Sequence, residues 1–203
     1  MNQAVRCGQA AAAGKPARSR LTRLLVAPMV LVLAAALAAC GDDEPAIASP
    51  FTGCGSLTEP PAAAATDLPD LQLPCFTGDD EVSLRSLRGP AVINIWASWC
   101  EPCRTELPVM QGLADKAEGR VTVLGVDSGD KRDKGADFAT DKGVRMPTLF
   151  DEKGALLNNL GRINLPVTVF VDSSGKSYVH PLPLDARGLS EQLRKHTGVT
   201  VTP

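Results

Sequence analysis

The chain has 203 residues, of which 44% are hydrophobic and 22% are charged. This length is enough for one compact domain with its own core and some flanking sequence, and it leaves little room for a second domain. The formal net charge is −2, and it becomes more negative once the basic leader is removed. An acidic chain argues against nucleic acid or an anionic lipid surface as the main partner.

The leader carries five of the 21 basic residues within positions 1–23 and no acidic residue, and an apolar run over 24–39 follows. A basic stretch before a short apolar run is typical of a secretory signal and is marginal for spanning a bilayer, so we predict a signal peptide over 1–39. Its removal leaves 16 basic residues against 23 acidic ones, a net charge of −7.

The apolar run ends in "LAAC" and then turns polar in "GDDE". This pattern resembles a bacterial lipobox, which implies that Cys40 is lipidated and becomes the first residue of the mature chain. The alternatives are an uncleaved anchor and an ordinary signal cleaved after Ala39. Each of the three exports the remaining chain.

Residues 40–65 are rich in Ala, Pro, Gly, Ser and Asp and show no apolar periodicity. This composition predicts a flexible tether, followed by a single domain over 66–203.

Short apolar runs then alternate with helical patterns. "AVINIWAS" over 91–98 and "VTVLGVD" over 121–127 are typical of strands buried on both faces. Between them, apolar residues recur at helical spacing from Cys103 to Ala117, and Gly119 ends the helix. Strand, helix and strand joined by short connections predict a parallel βαβ unit.

Two further strands, "VTVFVD" and "KSYVHPL", flank the turn signal "SSG" and predict an antiparallel hairpin. A last helix is expected from about Asp185 to Gly198.

A βαβ unit and a ββα unit, with a Cys-x-x-Cys pair where the first strand meets the first helix, match the thioredoxin fold. The motifs "WASWCEPCRTELP" and "LPVTVFVD" and the lead-in "LRGP" resemble the membrane-anchored thioredoxin-like proteins of the TlpA and ResA type, over about residues 66–197. The resemblance implies an α/β fold with a central mixed sheet flanked by helices. We also expect an N-terminal extension and an insertion between the two units.

The cysteine pair itself predicts redox chemistry. Cys100 is expected where unpaired backbone N–H groups and the positive helix end favour a nucleophilic thiolate, while the more buried Cys103 resolves the mixed disulfide. Pro102 fits the first helical turn and holds the two sulfurs within bridging range. The alternative, half of a zinc site, lacks a second pair of ligands at suitable spacing, so no metal and no other cofactor is expected.

Three neighbours of the pair, Trp99, Glu101 and Pro102, are expected to tune its redox chemistry. Trp99 is interpreted either as packing or as part of the docking surface beside Cys100. The negative charge of Glu101 opposes the thiolate, which makes the couple more reducing and predicts a reductant.

Two more site residues depend on the resemblance. From the sequence alone, Glu106 fits an exposed helix charge as well as a functional carboxylate, and similarity to ResA-like proteins implies that it tunes the thiols and transfers the resolving proton. In the thioredoxin fold, the proline at the position of Pro166 follows a cis peptide bond beside the sulfurs and lets the preceding backbone pair with an incoming peptide.

The predicted exported chain has two cysteines besides Cys40, Cys100 and Cys103. They are Cys54 and Cys75. In an oxidising compartment such a pair usually forms a structural disulfide, although a second redox pair that exchanges with Cys100 is an alternative.

The sequence therefore predicts a thiol-disulfide oxidoreductase, lipid-anchored on the outer face of the bacterial cytoplasmic membrane, that reduces disulfides in exported proteins. The resemblance implies a role in cytochrome c maturation or similar quality control, with apocytochrome c among the expected substrates and electrons supplied by a membrane-embedded dithiol relay. The alternatives are a copper-binding assembly protein, to which His180 and His196 draw attention, and a thiol peroxidase.

Overall fold

The computed structural model describes residues 48–57 and 65–203. The predicted signal peptide over 1–39, the predicted lipidation site Cys40 and residues 41–47 and 58–64 of the predicted tether lie outside the described residues. Within the described part, no helix combines the length and the apolar character needed to cross a membrane.

Seven strands are described, and the first two form a small antiparallel hairpin ahead of the main sheet. In chain order the strands are β1 (Gln72–Pro74), β2 (Glu81–Ser83), β3 (Ala91–Trp96), β4 (Thr122–Ser128), β5 (Thr148–Asp151), β6 (Val167–Val171) and β7 (Ser177–His180). The α-helices of the described residues are α1 (Cys103–Lys116), α2 (Arg132–Lys142), α3 (Ala155–Asn159) and α4 (Ala186–Thr197).

The main sheet has the order β5-β4-β3-β6-β7. β3, β4 and β5 run parallel, whereas β6 pairs antiparallel with β3, and β7 pairs antiparallel with β6. The βαβ unit is β3-α1-β4, the ββα unit is β6-β7-α4, and α2, β5 and α3 form the insertion between them. The predicted thioredoxin fold with a mixed central sheet is confirmed.

Every residue of β3 is buried, because helices and loops cover both faces of the sheet. Val92 and Trp96 pack in one core cluster together with α1, α2 and α4. Ile93 and Ile95 point to the opposite face and pack in a second cluster with β1, β2 and α3. This alternation is the consequence of the two-residue period of a strand.

The prediction of a flexible tether over 40–65 is wrong for residues 48–57, which pack on the domain. Phe51 is only 4% exposed, and its ring contacts that of Phe76 with centroids 4.7 Å apart. The Thr52 amide donates to the Arg145 carbonyl over 2.9 Å. The apolar residues of this segment are isolated in sequence and show no helical or strand periodicity. The sequence pattern therefore did not predict that the segment packs on the domain.

Candidate active site

The Cys-x-x-Cys pair lies at the connection between β3 and α1. The loop after Trp96 carries Cys100, and Cys103 is the first residue of the helix. The two cysteines are joined by a disulfide with Cα atoms 5.3 Å apart. Cys100 is 3% exposed and Cys103 is fully buried. Cys100 is therefore the sulfur nearer to solvent, with the exposed Trp99 directly before it.

The expectation of unpaired N–H groups facing Cys100 is wrong for this oxidised state. The amides of Cys103, Arg104 and Thr105 donate to the carbonyls three residues earlier, at 3.2, 3.2 and 3.3 Å. The turn over 100–102 thus continues the hydrogen-bond ladder ahead of α1 and occupies these donors. The dipole of the 14-residue helix still places partial positive charge at this end and favours a thiolate.

Glu106 lies one turn after Cys103 and is buried at 1% exposure, so it is not an exposed helix charge. Asn94 donates from Nδ2 to Glu106 Oε2 at 2.9 Å, and the Leu184 amide donates to Oε1 at 3.0 Å. The Thr168 hydroxyl donates to Oε1 more weakly, at 3.4 Å. Burial raises the pKa of Glu106, and the hydrogen bonds partly oppose that rise. The result is a buried carboxyl that can exchange a proton close to the cysteine pair.

Pro166 lies at the end of the sheet where β3 leads to the cysteine pair. The Leu165–Pro166 peptide bond is cis. Ile95 pairs with Val167 in the antiparallel register of β3 and β6, so Pro166 comes level with Trp96, where the chain turns towards Cys100. The fold thus brings together two segments that are more than 60 residues apart in sequence.

The residues predicted to tune the pair lie at the surface. The Glu101 carboxylate forms an ion pair with Arg104, Nε to Oε2, at 3.2 Å, and its side chain is 87% exposed. The Trp99 indole N–H donates to the Gly129 carbonyl at 3.0 Å, although the residue is 61% exposed. Pro102 is the residue directly before α1.

A surface cavity of about 430 Å³ lies between α1 and the segment entering α4. Its lining comes from α1 and from the segment entering α4, namely Thr105, Val109, Pro183, Leu184, Asp185 and Gly188. Leu184 therefore both lines this cavity and donates its amide hydrogen bond to Glu106.

The second disulfide joins Cys54 to Cys75, with Cα atoms 5.9 Å apart and a sequence separation of 21. Both cysteines are 1% exposed and pack in the core cluster opposite the one that holds Cys100 and Cys103. The sheet therefore separates the two disulfides. This geometry favours a structural link between the N-terminal segment and the domain over direct exchange with Cys100.

Among the residues that the structure describes, no group of three or more His, Cys, Asp or Glu side chains is arranged to hold a metal ion. His196 packs its ring against Tyr178, with centroids 4.5 Å apart, and burial lowers the pKa of His196 and of His180.

Sequence reasoning missed several residues of the site. Thr168 and the Leu184 amide contact Glu106, and Asp130 contacts the active-site loop by accepting a hydrogen bond from the Ser98 amide at 2.5 Å. One signal was available for Asp130: "DSGD" over 127–130 covers the end of a buried strand parallel to β3 and the loop after it, and the carboxyl ends of parallel strands meet at one edge of a sheet. No pattern marked Thr168 or Leu184, because their contacts depend on tertiary packing.

Comparison with known proteins finds relatives that are named for thiol-disulfide chemistry. The chain is 35% identical over 109 residues to the thiol:disulfide interchange protein DsbE of Pseudomonas fluorescens biotype C, covering 53% of this chain and 60% of that protein. It is 32% identical over 116 residues to the thiol-disulfide oxidoreductase ResA of Geobacillus thermodenitrificans, covering 56% and 66%. The chain thus spans less than two thirds of either relative. The expected resemblance to ResA-type proteins is confirmed.

A solved structure supports the same grouping. DsbF of MTB, solved in mixed oxidized and reduced forms, superposes with a TM-score of 0.58 at 26% identity, over 63% of this chain and 98% of that one. The model of the AhpC/TSA family matches residues 64–177, more than half of the chain. The described chain, with its thioredoxin fold and its cysteine pair, belongs to the AhpC/TSA family.

Proposed function

We propose that this protein is a thiol-disulfide oxidoreductase that uses Cys100 and Cys103 as its redox pair. The observation that carries the proposal is the disulfide between these residues at the junction of β3 and α1, with a buried carboxyl one turn further along the helix. The names of the relatives support the same chemistry.

The exchange proceeds in two steps that conserve electrons. The Cys100 thiolate attacks one sulfur of a target disulfide, forms a mixed disulfide and releases the other target sulfur as a thiolate. Cys103 then attacks the Cys100 sulfur, and the second target sulfur leaves. The target gains two electrons and two protons, and the protein ends with the Cys100–Cys103 disulfide.

Glu106 is the proposed proton carrier for the resolving step. A thiol must lose its proton before it attacks, and the buried Cys103 has little access to water. Burial raises the pKa of Glu106 towards that of a thiol, which makes the carboxyl a better acceptor for this proton. Pro166, level with the end of β3, is proposed to shape the groove in which the target backbone docks.

We propose further that the protein works as a reductant in an exported, membrane-anchored form. The exposed Glu101 supports the direction, since a negative charge beside Cys100 disfavours the thiolate and makes the couple more reducing. The leader and Cys40 support export and lipid anchoring on the outer face of the cytoplasmic membrane. Exported proteins with disulfides, apocytochrome c among them, are the proposed substrates, and a membrane-embedded dithiol relay is the proposed electron donor.

The full-length protein with Cys103→Ser tests the proposal. This variant keeps the attacking sulfur and lacks the resolving one, so it should accumulate mixed disulfides between Cys100 and its targets. Mass spectrometry after non-reducing purification identifies them. Cys100→Ser is the matched control and should trap few or none. Equal trapping by both variants, or none by Cys103→Ser, contradicts the proposal.

A further inference from the structure

Two carboxyl groups that the proposed exchange does not use lie behind the active-site loop. Asp127 is near the end of β4, directly beside Trp96 of β3 in the parallel register, and Asp130 follows in the loop before α2. Asp127 is completely buried and Asp130 is 8% exposed. Burying two carboxylates costs folding free energy unless a bound proton or hydrogen-bond donors compensate their negative charges.

Each carboxyl oxygen of Asp130 accepts a hydrogen bond from a backbone amide. Its Oδ2 accepts from the Ser98 amide at 2.5 Å, and its Oδ1 accepts from the Lys131 amide at 2.7 Å. Ser98 is two residues before Cys100. Because the Trp99 indole also donates to the Gly129 carbonyl, the loop that carries Cys100 is attached to the segment 129–130 at two points.

Asp127 has the opposite surroundings. Within the described residues, no protein N–H or O–H group donates to either of its carboxyl oxygens. Its Oδ2 lies against α2 so closely that a side chain at Gly135 would collide with it. An ionised Asp127 would thus be a buried charge without a donor, whereas a protonated Asp127 supplies its own O–H to a neighbouring acceptor.

The burial of Asp127 and the carboxylates around it also favour its protonated form. Burial is the largest cause of a rise in the pKa of Asp127 to about 9, to which the negative charges of Asp130 and Asp151 contribute and which the positive charge of Arg132 opposes. The Asp151 carboxylate is occupied by the Ser128 hydroxyl and by the amides of Ala155 and Leu156. Asp130 lies within side-chain hydrogen-bond reach of Asp127, so it is the acceptor available to an Asp127 proton.

We propose that Asp127 is a protonated positioning residue: at neutral pH it donates a hydrogen bond to Asp130, and Asp130 in turn holds the Ser98 amide and the loop that carries Cys100. Asp127 touches neither sulfur nor substrate, so it acts through Asp130 alone. When Asp127 loses its proton at alkaline pH, two negative carboxylates repel each other next to the loop. This repulsion should weaken the hydrogen bond between the Ser98 amide and Asp130. The effect on exchange rate rests on the proposed function, whereas the protonation of Asp127 does not.

Infrared spectroscopy of the full-length wild-type protein tests the protonation directly. At pH 7 the spectrum should contain the carbonyl stretching band of a protonated carboxylic acid that is missing in Asp127→Asn and fades as the pH rises past 9. Comparison with Asp127→Asn removes the contribution of Glu106, whose pKa is also raised. A wild-type spectrum at pH 7 without a band specific to Asp127 overturns the proposal.

Exchange kinetics test the positioning. Asn keeps the shape of the protonated acid and an N–H donor for Asp130, so Asp127→Asn should reduce a model disulfide within about twofold of the wild-type rate at pH 7 and should not slow at alkaline pH. Asp127→Ala removes the donor and should slow the reaction by about tenfold, since small displacements of reacting groups have large effects on rate. If Asp127→Asn is as slow as Asp127→Ala, or if Asp127→Ala matches the wild type, the positioning role is wrong. An infrared band without any exchange activity instead refutes the proposed function and leaves the protonated Asp127 in place.

Discussion

Asn94 on β3 donates a hydrogen bond to Glu106 on α1 over 2.9 Å, within the core of the protein. The strand and the helix that flank the cysteine pair are therefore joined by a buried polar contact behind it. The Asn94 amide does not titrate. Glu106 is therefore the titratable group of this contact.

Replacing Glu106 with Gln should slow disulfide reduction about a hundredfold, the lower end of the effect of a general base. Gln preserves the shape but accepts no proton from Cys103. Because burial raises the pKa of Glu106, the wild-type rate of the resolving step should rise with pH as Glu106 ionises, and this rise should be missing in the variant. Stopped-flow measurements of the second step between pH 5 and 9 check this, and identical profiles would contradict the role of Glu106.

The same variant should change how stability depends on pH. The folded protein holds the Glu106 proton more tightly than the unfolded chain does, so the contribution of Glu106 to the free energy of unfolding is fully present below pH 4.5 and is lost as pH rises through the raised pKa. Urea unfolding of wild type and Glu106→Gln at several pH values should therefore show a wild-type disadvantage that grows with pH and then levels off. A constant difference across this range would show that the pKa is not raised.

Removing the second disulfide should destabilise the fold without stopping the redox chemistry. In the chain-entropy model, the Cys54–Cys75 bond, which spans 21 residues, stabilises by about 3 kcal/mol. The double variant Cys54→Ala and Cys75→Ala should lose about this much in denaturant unfolding and keep the wild-type rate of exchange at a temperature where it is folded. A large loss of rate in the folded double variant would favour the alternative of a second redox pair.

Truncating Phe51 tests whether the N-terminal segment belongs to the core. Phe51→Ala should destabilise by about 3 kcal/mol, since the ring is buried and contacts those of Phe76 and Trp96. Ile163→Ala is the control, because Ile163 is 86% exposed and its truncation should change stability by less than about 0.5 kcal/mol. Similar unfolding midpoints for Phe51→Ala and wild type would restore the predicted tether over this segment.

Neutralising Glu101 should make the couple slightly more oxidising. A surface charge interaction is worth about 0.2 to 1 kcal/mol, which corresponds to roughly 5 to 20 mV for a two-electron couple. Glu101→Gln should raise the reduction potential by this amount, measured against glutathione. Arg104→Gln removes the partner of Glu101 and should shift the potential the other way. Shifts of the same sign in both variants would contradict the electrostatic argument.

The sequence by itself determined the fold and the redox pair. Buried strands, the helical spacing after Cys103 and the Gly stops are local patterns, because backbone hydrogen bonding and side-chain periodicity act over a few residues. Cys100, Pro102 and Cys103 are adjacent in sequence, so their relation to the helix start could be read directly.

Only the tertiary structure decided the surroundings of that pair. Glu106 is buried because β3, β6 and the segment before α4 enclose it, and Asp127 meets Asp130 and the active-site loop only when β4 aligns with β3. The packing of Phe51 and the place of Cys54 on the opposite core follow equally from contacts between distant segments. Burial and the charge environment are sums over such contacts, and so the protonation of a carboxyl is a property of the folded chain.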